Sequence, residues 1–287
     1  LASTSGPSPA YGSAMAYDAA RRRVIMFGGD SYPSGKKTWS WDGARWELRS
    51  ESGPSLITKT DMTYDSHRER IILFCGPETW EWDGNAWLRR AISGPPSRQR
   101  HGLGYDAARR RVVLVGGQTS QGTPTFLTDT WEWDGTAWAR RATSVPRNYQ
   151  IDPVVFFDDS RQRVILHTGN FPASHPNNEL WEWDGAEWRL LATGGPANRS
   201  GQAGAWDTNR QRLVIFGGGN SGAPWANSLY SDTWEWDERE WVRVAQGTPM
   251  PVVHQCAAFD SDRNRVVLLG ELLGSNLSQT WEWDGLN

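Results

Sequence analysis

Thr79-Trp80-Glu81-Trp82-Asp83-Gly84, with Trp87 three residues further on, is the stretch whose reading decides the fold. Trp80 and Trp82 are two residues apart, so in a strand both rings lie on one face. Asp-Gly is a strong two-residue hairpin signal, because glycine accepts positive φ. Trp87 then opens the returning strand. The same phrase, or one close to it, starts at Thr38, Thr130, Leu180, Thr233 and Thr280, and the later Trp recurs at Trp46, Trp138, Trp188 and Trp241. Upstream of each copy runs an aromatic-Asp-x-x-Arg-x-Arg segment followed by an apolar run. These segments begin at Tyr17, Tyr64, Tyr105, Phe157, Trp206 and Phe259.

Each unit of roughly fifty residues therefore holds four short antiparallel strands, in the first unit about 13–18, 22–28, 38–42 and 45–50. A single such sheet cannot bury both faces, but radial stacking against its neighbours does so. Six units predict an all-β, six-bladed β-propeller occupying 1–287 as one domain. Leu1-Ala2-Ser3-Thr4-Ser5-Gly6-Pro7 matches the fourth strand and loop Leu48-Arg49-Ser50-Glu51-Ser52-Gly53-Pro54. The N-terminal segment is thus expected to complete the last blade and close the ring, which removes exposed sheet edges.

Composition agrees. Apolar residues make up only 38% of the chain, but nineteen Trp supply large buried surfaces. The net charge of -3 and the even spread of basic residues give no nucleic-acid footprint, and no apolar run is long enough to span a bilayer. Cys75 and Cys256 occupy different repeat positions and read as small buried residues, without metal-type spacing. The chain starts at Leu1 without Met, so localisation stays open, with a lean to secretion or the periplasm. A monomer is favoured.

The Gly-Gly after the second strand, the aromatic ending the first, the later Trp and the period near fifty resemble kelch repeats of a bacterial type. The resemblance implies the propeller and leaves function open, because kelch propellers include protein-binding modules and several kinds of enzyme. The Glu-x-x-x-Asp-x-x-x-His string of the iron-dependent nitrile-forming members is absent, as is the copper Tyr-Cys site of galactose oxidase. In sialic-acid mutarotases, Arg and Glu at the channel mouth handle an acidic sugar, and Arg98, Arg100, Arg199 and Glu271 are compatible with that role.

The residues repeated in nearly every unit (Asp18, Arg21, Arg23 and their equivalents, and Glu81, Glu132, Glu182, Glu235 and Glu282) are expected to stitch the scaffold. Chemistry is expected on the face carrying the strand two-to-three loops, which vary from about two to about fourteen residues. Counting back from each strand-ending Asp, the innermost strand is entered at Gly12, Lys59, Arg100, Asp152, Gly201 and His254. Tyr11, Asp61, Arg98, His101, Tyr149, Arg199, Gln202 and Gln255 lie beside them. Their side chains are expected to converge on the channel mouth around a polar or anionic small ligand; the alternative is solvation of a water-filled channel.

If the hairpin of the sixth blade is regular, His254 stands opposite Glu271 as a general base with its orienting carboxylate. His167 replaces a Phe-type residue diagonal to Asp152, with His175 in the next loop, so His167 and His254 are the candidate ligands of a divalent metal. Trp225, Tyr230, Tyr32 and Phe126 are loop aromatics suited to a sugar or a protein partner. The leading expectation is a ligand-binding propeller for a carbohydrate or protein. The competing one is an isomerase or lyase using His254 with Glu271, with or without metal, and the third is an architectural propeller.

Overall fold

The computed structural model describes residues 2, 6–7, 12–28, 36–55, 59–120, 122–142, 152–168, 179–219, 229–247, 252–272 and 278–286, with backbone only at 252–254 and 272. The repeat phrase forms the third strand of every blade. Blade one is Ala14–Asp18, Arg23–Phe27, Thr38–Trp41 and Trp46–Ser50, each strand antiparallel to the one before it. Blades two to five repeat this order, beginning at Asp61–Asp65, Gly102–Asp106, Val154–Asp158 and Ala203–Asp207. Blade six contributes Val252–Asp260, Arg265–Leu272 and Ser278–Trp283. Its outer position is met by the N-terminal segment, where the Ala2 N–H donates to the Thr280 carbonyl at 2.7 Å. The first strands contact one another in sequence around the ring, and the sixth returns to the first. Among the described residues no helix is long and apolar enough to cross a membrane.

The two Trp of the repeat phrase have different duties. The second one (Trp41, Trp82, Trp133, Trp183 and Trp236) is sealed in the core. Each such ring removes roughly 150–250 Å² from water, on the order of 4–6 kcal/mol before the entropy of ordering. The Trp that opens the fourth strand reaches back to the preceding blade. Trp87, Trp138 and Trp188 donate their indole N–H to Thr38, Thr79 and Thr130 at 2.7–2.9 Å. Trp46 does the same to Thr280 at 2.8 Å, which carries the pattern across the closure. Phe27 and Phe74 meet Trp87 and Trp138 edge-on across two of these seams.

The charged repeat residues form a second stitch. Arg109 holds Asp106 at the end of its own first strand and Glu132 on the third strand, 2.5 Å away. Glu132 then accepts the indole N–H of Trp183 in the next blade at 2.9 Å. Arg263 with Glu282 and Trp41, and Arg210 with Glu235 and Trp283, repeat the arrangement. Arg68 also meets Glu81. The Asp-Gly turn of the following blade lies beneath each arginine: a Cβ on Gly185 would come within 2.4 Å of Arg109 Nη1. Gly185 is needed twice, for a φ of 101° and for the missing Cβ. The outermost strands carry Arg89, Arg90, Arg140 and Arg141, charges that discourage edge-to-edge pairing.

Candidate functional site

The six first strands enclose a central cavity of about 420 Å³. Ala, Gly and Val recur along its wall, and each inner strand adds a sheet edge whose backbone groups are available to the cavity. Asp61 answers one of them. Its carboxylate accepts the Leu103 N–H from blade three and the N–H of Met62, both at 2.8 Å. Burial outweighs those two hydrogen bonds and lifts the Asp61 carboxyl to about 7.

At the mouth, the strand entries bond to one another around the rim. The Arg100 N–H donates to Lys59 O at 2.8 Å, and the Asp152 N–H to Arg100 O at 3.0 Å. The Gly201 N–H donates to Asp152 Oδ2 at 3.0 Å, and Gln255 Nε2 to Gly201 O at 2.9 Å. This path runs through left-handed backbone at Arg100 (φ 61°), Asp152 (φ 52°) and Gly201 (φ 66°), with Gly12 (φ 97°) at the equivalent point of blade one. Two of these residues carry side chains, and such conformations cost about 1–3 kcal/mol each.

Asp152 gathers two cations. Lys59 Nζ lies 3.0 Å from Asp152 Oδ2, and Arg100 grips the same carboxylate with Nε at 3.0 Å and with Nη2. Lys59 belongs to blade two, yet its Nζ comes within 3.5 Å of where a Cβ on Gly201 of blade five would stand. Its side chain therefore reaches across the mouth. Burial depresses Lys59, and Arg100 adds to that. Burial would raise the Asp152 carboxyl, but the charge of Lys59 and the Arg100 hydrogen bond hold it far below the usual carboxylate range.

His101 also lines the cavity. It is 4% exposed, neither ring nitrogen has a hydrogen-bond partner among the described residues, and its ring meets Phe74 edge-on at 5.4 Å. Burial, with Arg98 nearby, pushes it down to about 3, so it is a neutral imidazole. Cys256 lines the wall beside Ser13, and burial raises its thiol to about 12. It is no nucleophile at neutral pH.

Of the residues expected at the mouth, Lys59, Asp61, Arg100, His101, Asp152, Gln202 and Gln255 do line the cavity. Arg98 and Arg199 do not. Each is buried and clamps an aspartate in bidentate fashion, Asp129 at 2.7 and 3.1 Å and Asp232 at 2.6 and 3.0 Å. Each also donates to two carbonyls, and Arg199 covers the ring of Tyr230 at 4.2 Å, so that ring is not an open loop aromatic. The signal was in the sequence: Asp129 and Asp232 directly precede Thr130-Trp131 and Thr233-Trp234 in the two blades that carry these arginines.

The expected pairing of His254 with Glu271 is corrected. A bulge between Val253 and Cys256 shifts the register by one, and Glu271 stands opposite Val253. His167, expected as a metal ligand, does not line the cavity. It pairs with Val154 and Leu180 across its strands, is 2% exposed, and lies against Trp241 at 5.3 Å, where Phe27 and Phe74 hold the same place in their blades. Gln202 Nε2 sits 3.4 Å from its Nδ1 and 3.5 Å from Asp152 O. Burial and Arg199 bring His167 down to about 3. Among the described residues no group of three or more His, Cys, Asp or Glu is placed to hold a metal ion. Tyr11, Tyr32, Tyr149, His175 and Trp225, and the side chain of His254, lie outside the described residues.

No family model matches the chain, and no curated protein matches it. Solved structures do match. One titled "Structure of YjhT" aligns with a TM-score of 0.70 over 96% of this chain and 95% of that one, at 11% identity. At that identity the likeness shows the fold: the chain is a six-bladed β-propeller.

Proposed function

We propose that this propeller binds a small anionic, hydroxyl-rich molecule of the acidic-sugar class in its central cavity, entering at the mouth ringed by Lys59, Arg100 and Asp152. The observation that carries the reading is the pair of cations sharing one carboxylate there. Lys59 and Arg100 suit a ligand carboxylate, which would join or replace that of Asp152 at the planar Arg100 guanidinium. The volume of about 420 Å³ falls within the range of small-molecule pockets. Inward backbone groups, Gln202 and Gln255 suit ligand hydroxyls. The left-handed backbone at Arg100 and Asp152 is of the kind kept where geometry serves a site.

Calorimetry with glucuronate against glucose tests this, because the two differ by a carboxylate. Glucuronate is expected to bind and glucose to bind at least ~10-fold more weakly. Arg100→Lys, which keeps the charge and loses the fork, is expected to weaken glucuronate by about 10-fold and leave glucose unchanged. Equal binding of both sugars, or of neither, overturns the proposal.

A further inference from the structure

Among the described residues that line the cavity, Asp61 is the carboxylate not engaged by the mouth cations; its hydrogen bonds come from backbone N–H groups. It shares the wedge between blades two and three with His101. Asp61 reaches Leu103 of blade three, and its cross-strand neighbour Phe74 packs against the His101 ring. The wedge thus places the Asp61 carboxylate on the cavity wall, with the His101 ring packed behind it and both its nitrogens shut off from the cavity. Asp61 lies two residues along the strand from Lys59. A ligand anchored by its anionic group at Lys59 and Arg100 would extend inward past this wall.

We propose that Asp61 is the acid–base residue of an isomerisation, acting on an acidic hydroxy-aldehyde anchored at the mouth. The inference rests on the binding reading above. The Asp61 carboxylate takes the proton from the hydroxyl-bearing carbon next to the carbonyl. The C–H electron pair becomes the C=C bond of an enediolate, and the carbonyl π pair moves onto oxygen. The Asp61 carboxylic acid then returns its proton to the former carbonyl carbon. The hydroxyl proton passes to the former carbonyl oxygen by exchange with water in the cavity. The product is the isomeric hydroxy-ketone, and no oxidant, reductant or co-reactant is needed. A carboxyl near 7 exchanges its proton readily at neutral pH.

The test is solvent deuterium exchange at C2 of glucuronate and galacturonate, followed by NMR in D₂O, with calorimetry of the same samples. The wild type is expected to incorporate deuterium and form the ketose. Asp61→Asn is expected to exchange at least ~100-fold more slowly while binding glucuronate within a few-fold of wild type. Binding without exchange in the wild type, or undiminished exchange in Asp61→Asn, overturns the proposal. Absence of binding sinks the binding reading instead, and the calorimetry separates the two failures. Should Asp61→Asn not fold, the wild-type exchange rate between pH 5 and 9 decides. Facing Asp61 in the cavity are Lys59 from its own blade, Arg100 and His101 from blade three, Asp152 from blade four and Cys256 from blade six. Asp61 is raised to about 7, so the rate should rise through about pH 7, and a flat profile overturns the assignment. A loss of charge on Lys59, which burial depresses, would instead weaken glucuronate binding in the calorimetry at each pH.

Discussion

The seam between blades three and four and the seam between blades four and five are built from the same repeat and solved differently. In the first, Trp188 donates to Thr130, Arg109 holds Glu132, Glu132 accepts Trp183, and Gly185 leaves room for Arg109. In the second, Arg161, Glu182, Trp236 and Trp241 keep their residue types, but residues around them have changed. Leu180 stands where Thr130 does, and the Trp241 indole N–H has no partner among the described residues. His167 replaces the Phe type against Trp241. Glu238 replaces the turn glycine, and Arg161 turns to Asp158 and Glu238 at 3.3 and 3.5 Å. The Trp236 indole N–H is left without a partner among the described residues. Each blade contacts only its neighbours, so a weak seam such as this one stays local. The weak seam also adjoins Asp152 and Gly201, the rim residues of blades four and five.

The largest effect is expected from breaking the strong seam. Glu132 is 3% exposed and serves Arg109, Arg141 and Trp183. Glu132→Ala strands a partly buried guanidinium and a buried indole N–H, and should cost about 3–5 kcal/mol in denaturant unfolding. Truncation of Glu182, its counterpart at the weak seam, should cost clearly less. Equal losses would mean that the two seams contribute alike.

A second test repairs the weak seam. His167→Phe restores the residue type of blades one, two and five. Folded His167 titrates at about 3, below its unfolded value near 6.5, so the unfolded state takes up the proton first as pH falls. Its stability contribution is complete above 6.5 and is lost on acidification. The variant should therefore gain about 2 kcal/mol over wild type at pH 5 relative to pH 8. An identical difference at both pH values would show that His167 is not held neutral. Its loss should leave glucuronate binding intact, since His167 does not line the cavity.

The same contrast explains what the sequence disclosed. The scaffold was legible because it is written six times: a Trp pair, an Asp-Gly turn and an Asp-x-x-Arg-x-Arg turn each predict one local geometry, and their recurrence predicts the ring. The rim entries Lys59, Arg100 and Asp152 were legible as departures from that recurrence. Whether a departure faces the cavity or a seam is decided by side-chain direction, which the repeat does not encode. Arg98 and Arg199 turned to buried aspartates, and His167 to Trp241. The bulge before Cys256 broke the register on which the His254 and Glu271 pairing depended, and a single extra residue in one strand carries no compositional mark.

The smallest effect is expected at the turn of blade five. Glu238 holds a φ of 74°, where the other five blades place glycine in the Asp-Gly turn. A non-glycine residue there costs about 1 kcal/mol or more, partly returned by the contacts of Glu238 with Arg161 and with the Ser160 hydroxyl at 2.7 Å. Those contacts are solvent-accessible and so contribute little. Glu238→Gly removes the strain and the Cβ together, freeing the place that Arg109 occupies over Gly185 in the preceding seam. Arg161 is then expected to swing to Glu182, and Glu182 to accept the Trp236 indole N–H as Glu132 accepts that of Trp183. The variant should be more stable by about 1 kcal/mol, and protection of the Trp236 indole proton from exchange should rise with it. A stability gain without indole protection would trace the gain to backbone strain alone. No gain at all would mean that the Arg161–Glu238 pair already offsets the left-handed turn.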